Sequence, residues 1–298
     1  MTNRFIPILF VLLWATGFIG AKYAMPHAEP FWFLAIRFAI AGAILTALAL
    51  VSGRKWPSAT AAINALIAGA FVHGLYLACV FWAIRNGLPA GMSALIVGLQ
   101  PILTTILAAL LVSEQADNRH WLALLAGLAG VLMVLWPKLA LASEGINAAT
   151  ISASFLAVLA ISGGTVWQKR TGGASDLVTG TAIQYAGATL VTGLLSLMFE
   201  TQQFDSTPQL WFAMAWLVLV LSIGAIFLLM LLIRDGSMNR VGALFYLVPA
   251  VTALMAWALF GETLSLSQLA GMIVVAAAVW IAAGQRQISN DSYFNFRS

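Results

Sequence analysis

The chain has 298 residues, of which 62% are hydrophobic and 8% charged, with a net charge of +4 and a mean hydropathy of +0.96. A soluble domain carries about 25% charged residues, so this composition excludes a water-facing globule. It points to an integral membrane protein whose cations report orientation rather than nucleic-acid binding. The one cysteine, Cys79, lies in an apolar segment, which excludes an intrachain disulfide framework.

A spanning helix needs about 20 mostly apolar residues, and ten such segments are predicted, at about 5–23, 31–51, 60–84, 89–112, 119–136, 148–168, 176–198, 209–233, 240–260 and 266–284. The connections are short and carry charges and turn formers, as in Ser52-Gly53-Arg54-Lys55 and Asp205-Ser206-Thr207-Pro208. The first segment is not read as a secretory signal, because it has a counterpart in the second half. Long apolar runs also exclude a β-barrel, whose strands would alternate over about ten residues.

The fourth and ninth segments are copies. At a shift of 148, Leu99, Pro101, Thr104, Ala108, Leu111 and Glu114 fall on Leu247, Pro249, Thr252, Ala256, Leu259 and Glu262. Most of these identities are three or four residues apart, so one helix face was duplicated together with a proline break. At a shift of 147, Gly17 and Lys22 fall on Gly164 and Lys169, and Arg37 falls on Gln184. Arg85-Asn86-Gly87 likewise answers Arg234-Asp235-Gly236. The expected organisation is therefore a first five-helix repeat over 1–139, a second over 140–286 and a tail over 287–298.

With the amino terminus in the cytoplasm, ten of the 14 Lys and Arg residues fall on the inner side, leaving Lys22, Arg37, Arg85 and Lys138. By the positive-inside rule both termini are cytoplasmic, in a cell inner membrane. Five spans per half make the second half enter the bilayer upside down, as in secondary transporters built from inverted repeats.

These features resemble the drug/metabolite transporter superfamily, in particular its ten-helix EamA-type members. The residues that carry the resemblance are Trp14-Ala15-Thr16-Gly17-Phe18, Arg37-Phe38, the paired Gln100-Pro101 and Val248-Pro249, and the endings Ser113-Glu114 and Gly261-Glu262. Among such proteins the chain is most similar to the YddG-type exporters of aromatic and other amino acids. The resemblance implies a basket-like all-α bundle with helices 1, 3, 4, 6, 8 and 9 around a central cavity. Ser-Glu where Gly-Glu is usual, and Val248 opposite Gln100, suggest that the halves no longer share the work equally.

Candidate residues follow from polarity at depth. Pro101 and Pro249 each free a carbonyl three or four residues upstream, so they are expected to bend their helices and open backbone toward a substrate path. His73 and Tyr76 lie at helical spacing in span three, and Ala160, Gly163 and Trp167 in span six. With Trp14, Gln100 and Tyr246 they make the expected substrate-binding set, with polar-edged rings suited to a flat ring. Arg37, inside span two, either gates, attracts a substrate carboxylate or snorkels outward. Trp32, Trp56, Trp121, Trp136 and Trp211 are read as interface anchors. Glu114 and Glu262 are expected to be structural helix-end carboxylates.

No acidic residue lies mid-span, and His73 is the one interior group able to titrate. A gradient-driven facilitator is therefore expected ahead of a proton-coupled exporter, with a channel as a further alternative. The three histidines, His27, His73 and His120, are scattered and form no catalytic or metal motif. The expectation is therefore no enzyme, no cofactor, no metal and no nucleic-acid partner, but a small-molecule substrate and the lipid bilayer. A monomer is consistent with this reading.

Overall fold

The computed structural model describes residues 5–112, 118, 121–122, 125–130, 132–133, 145–171, 176–228, 232, 247–261 and 264–283. The expected site residue Tyr246, the helix-end pair Glu114 and Glu262, and Trp136 lie outside them. All regular elements among the described residues are helices, apart from one antiparallel bridge between Ala28 and Phe204.

The chain forms α1 (Phe5–Ala24) and α2 (Pro30–Val51). A third span joins α3 (Ala59–Gly69), a π-helical segment (Ala70–Leu75) and α4 (Tyr76–Arg85). Next come α5 (Ala90–Val97), α6 (Gln100–Val112), α7 (Ala148–Arg170) and α8 (Leu177–Phe199). The short α9 (Pro208–Ala215) runs into a second π-helical segment (Trp216–Ala225), followed by α10 (Val248–Phe260) and α11 (Leu266–Ala283). Among the described residues seven helices are long and apolar enough to cross a membrane, and Val248–Phe260 and Leu266–Ala278 are shorter apolar helices.

The helix starts are written in the sequence. Asn147 and Thr150 cap α7 reciprocally, Asp176 accepts from the N–H groups of Val178 and Thr179, and Thr207 accepts from Leu210. Each satisfies backbone donors that the first turn leaves open. Pro30 and Pro208 occupy first turns, where a missing N–H costs nothing. At the other end of α10, Gly261 takes the left-handed conformation (φ 65°) that closes a helix.

Two expectations change in form. The fourth span is broken at Gly98-Leu99, so Pro101 is the second residue of a new helix rather than a kink inside a continuous one. Pro249 is likewise the second residue of α10. The third and eighth spans each carry a π-helical segment, which an apolar sequence does not announce.

α2 packs antiparallel on α8, and α3 crosses α8 closely. A Cβ on Gly69 would overlap the Gln184 carbonyl, and one on Gly187 would overlap the Leu66 carbonyl. Small residues that let backbones touch are the usual means of holding helices together in lipid.

Candidate transport site

Where α2, α8 and the two π-helical segments meet, polar and aromatic groups converge. Arg37 of α2 is 3% exposed and donates from Nη2 to the Ser222 hydroxyl at 3.2 Å. Its Nε is buried and has no hydrogen-bond partner. The guanidinium lies 5.6 Å from the Phe38 ring centroid and within electrostatic reach of Tyr76 and Tyr185. The Tyr185 hydroxyl donates to the Ser222 carbonyl at 3.0 Å.

Beside it, His73 Nε2 meets Gln184 Oε1 at 3.2 Å. The Phe38 and Tyr185 rings stack with centroids 5.6 Å apart and planes 22° apart, and the His73 ring lies 5.0 Å from Tyr185. Tyr76 is buried one turn beyond His73. His73 and Ser222 both stand in π-helical segments, an irregularity common at functional sites.

The structure thus brings together Arg37, His73 and Tyr76 of the residues expected from sequence. The other described candidates stand elsewhere. Trp14 packs on Phe10 with centroids 5.3 Å apart. Trp167 is half-buried near the end of α7, its indole N–H buried and without a partner. One turn back, a Cβ on Gly163 would meet nothing within 4 Å. The Gln100 carbonyl, at the proline break, accepts from the Ser162 hydroxyl at 3.2 Å. Trp56, Trp121 and Trp211 are about half exposed (44%, 50% and 47%), as expected near span ends. Sequence reading missed Ser222, Tyr185 and Phe38 as members of the cluster. A polar side chain deep in an apolar span was the available signal for Ser222.

The ends of the α2–α8 pair are held by carboxylates outside the spans. Glu200 accepts from the N–H groups of Phe31 and Trp32, each at 2.8 Å, and Glu29 accepts from the Gln203 N–H at 2.8 Å and the Thr201 hydroxyl at 3.2 Å. At the opposite end Arg54 meets Asp176 at 3.2 Å. Burial pulls the Asp176 carboxyl up, but the Thr179 and Val178 N–H groups and Arg54 together hold it below the usual aspartate value. Glu29 is lowered in the same way, against a burial effect, by hydrogen bonds from Gln203 and Thr201. Glu200 is raised, because burial and the nearby Glu29 outweigh its two backbone donors.

Comparison with known proteins bears on the fold and the family. A protein of known crystal structure superposes with a TM-score of 0.65 at 21% identity, covering 93% of this chain and 95% of the other, which shows a shared fold. The uncharacterized inner membrane transporter YedA of Escherichia coli is 27% identical over 92% of this chain and 88% of its own length. A probable amino-acid metabolite efflux pump of Salmonella typhimurium is 26% identical over 94% of each chain. The family model for EamA-like transporters matches residues 5–136 and 148–284. A membrane-spanning bundle with a buried polar centre, matched over nearly its whole length by that model, is a membrane transporter and belongs to the EamA-like transporter family.

Proposed function

We propose that the chain exports amino acids, aromatic ones included, down their gradient, by alternating access between two inverted five-helix halves. The observation that carries this reading is the cluster of His73, Gln184, Tyr185 and Phe38 around Arg37. Flat rings, an amide and a guanidinium match a solute with an aromatic side chain and a carboxylate. The similarity to a probable amino-acid metabolite efflux pump of Salmonella typhimurium supports the solute class. The likeness to YddG-type exporters belongs to the same proposal.

Trp14, Gln100, Trp167 and Tyr246 are assigned to the walls of the path, and the breaks at Pro101 and Pro249 to its gating. Glu114 and Glu262 are assigned structural roles at helix ends. Both termini are placed in the cytoplasm by the bias of Lys and Arg.

Gradient-driven flux is proposed because none of the described spanning helices contains Asp or Glu. Proton-driven exchange ordinarily relies on an ionisable group buried in the membrane. His73 is the observation that favours the second reading, a proton-coupled exporter. In proteoliposomes with equal pH on both sides, labelled phenylalanine or tryptophan should equilibrate and show counterflow. Concentrative uptake that needs a pH gradient, collapses with a protonophore and is lost in His73→Ala would establish the coupled alternative instead.

A further inference from the structure

Arg37 sits where a permanent charge is costly. A buried guanidinium must be paired and hydrogen-bonded to offset the loss of water. Here its side-chain hydrogen bond goes to a neutral hydroxyl, its Nε has no hydrogen-bond partner, and none of the described spanning helices carries a carboxylate. Guanidinium presents five donors in a planar fork. A carboxylate takes two of them at once, in bonds about twice as strong as neutral ones. The Ser222 hydroxyl is a weak occupant of such a site. It is also a held one, since Tyr185 donates to the Ser222 carbonyl at 3.0 Å.

The partner half supplies an internal control. Arg37 falls on Gln184 at a shift of 147, and the shift of 149 that aligns Arg85-Asn86-Gly87 with Arg234-Asp235-Gly236 puts His73 on Ser222. The ties Arg37–Ser222 and His73–Gln184 are therefore counterparts, each joining one half to the other. In the second tie an imidazole and an amide, neither of them a permanent cation, face each other at 3.2 Å. In the first, a cation with an unused Nε faces a hydroxyl. Duplication gave both positions the same cross-half bond, and only one of them carries a charge.

We propose that Arg37 is the carboxylate-binding group of the transport site and that Ser222 holds its place in the unloaded protein. A bound carboxylate takes the guanidinium fork and releases the tie between α2 and the second π-helical segment. This deepens the reading of the chain as an amino-acid exporter and rests on it for the identity of the solute, but not for its charge.

The test uses the purified full chain in detergent, with affinity read from ligand-dependent thermal stabilisation. The probes are acetate and phenylacetate, each beside its neutral amide, and L-phenylalanine beside L-phenylalaninamide, which loses the carboxylate and keeps the amine. In the wild type at least one carboxylate should bind tenfold or more tightly than its amide. Arg37→Gln should remove that preference, and Ser222→Ala should tighten carboxylate binding several-fold while leaving the amides unchanged. In the Arg37→Gln background, Ser222→Ala should have no effect.

Phenylacetate bound through Arg37 with L-phenylalanine ignored would uphold this site and sink the amino-acid reading. If no carboxylate is preferred over its amide, or a monodisperse Arg37→Gln protein keeps the preference, the proposal is overturned. Should Arg37→Gln fail to fold, Ser222→Ala retains the charge and decides alone. Unchanged carboxylate affinity in that variant overturns the proposal.

Discussion

Asp176 combines two jobs in one side chain. It caps α8 through the N–H groups of Val178 and Thr179 and pairs with Arg54, whose side chain is 51% exposed. An N-cap carboxylate is worth about 1 kcal/mol, and an ion pair this exposed adds little. Because Asp176 is held below its ordinary value, its contribution is full above the unfolded pKa and is lost as pH falls through the lower folded one. Asp176→Asn keeps a side-chain oxygen for the cap but loses the charge that favours the helix start and pairs with Arg54, so it should lower thermal stability in detergent at neutral pH by only about 0.3–1 kcal/mol. The difference from wild type should shrink as pH falls below the ordinary aspartate range and through the lowered folded pKa. Glu200 has the opposite sign, since its raised folded pKa makes its protonation favour the folded chain, and that advantage disappears as pH rises through it.

The same scale shows what could be read in advance. Arg37 and His73 stood out as polar residues in apolar spans, and the structure places both in the cluster. Ser222 and Tyr185 did not, because a serine or tyrosine in a membrane helix serves packing as readily as binding. Trp14 and Trp167 were chosen for depth and ring type alone, and depth along a helix does not say which neighbour a face meets. The register of the repeat held more information than residue type. It had already set Arg37 on Gln184 before either partner was known.

Among the elements, α3 and α8 depend on glycine. The Gly69 and Gly187 contacts bring backbone against backbone, directly beside Gln184 and one turn before His73. A methyl group has nowhere to go there, and overpacking of a tight interface costs about 1–3 kcal/mol. Gly69→Ala should therefore reduce thermal stability by that order and slow counterflow by disturbing the His73–Gln184 bond. Gly193→Ala is the control, since a Cβ there meets nothing within 4 Å. Equal behaviour of the two variants would refute the close-crossing account. Spans were legible from hydropathy because lipid sets their length. The π-helical segments were not, because they arise from how neighbouring helices fit and leave no mark in apolar composition.

For the whole molecule, the family model matches two stretches, residues 5–136 and 148–284. The proposed orientation makes a direct prediction. Reporter fusions placed after Arg286 and near Lys138 should lie on opposite sides of the membrane, with Arg286 cytoplasmic. An external reporter after Arg286 would invalidate the orientation drawn from the cationic bias.

The fastening of α2 to α8 has a mechanical meaning. Glu200 and Glu29 clamp one end, Arg54 and Asp176 clamp the other, and Phe38 stacks on Tyr185 between them. Contacts at three heights oppose lengthwise sliding, the exposed Arg54–Asp176 pair least of the three, and favour movement of the two helices as a single axle. Reorientation of the bundle must then come from elements that grip this axle at one height, as the Ser222 segment does through Arg37. Under the transport mechanism proposed above, the work of each turnover would lie in letting go of one grip, the Arg37–Ser222 tie, rather than in moving the shaft.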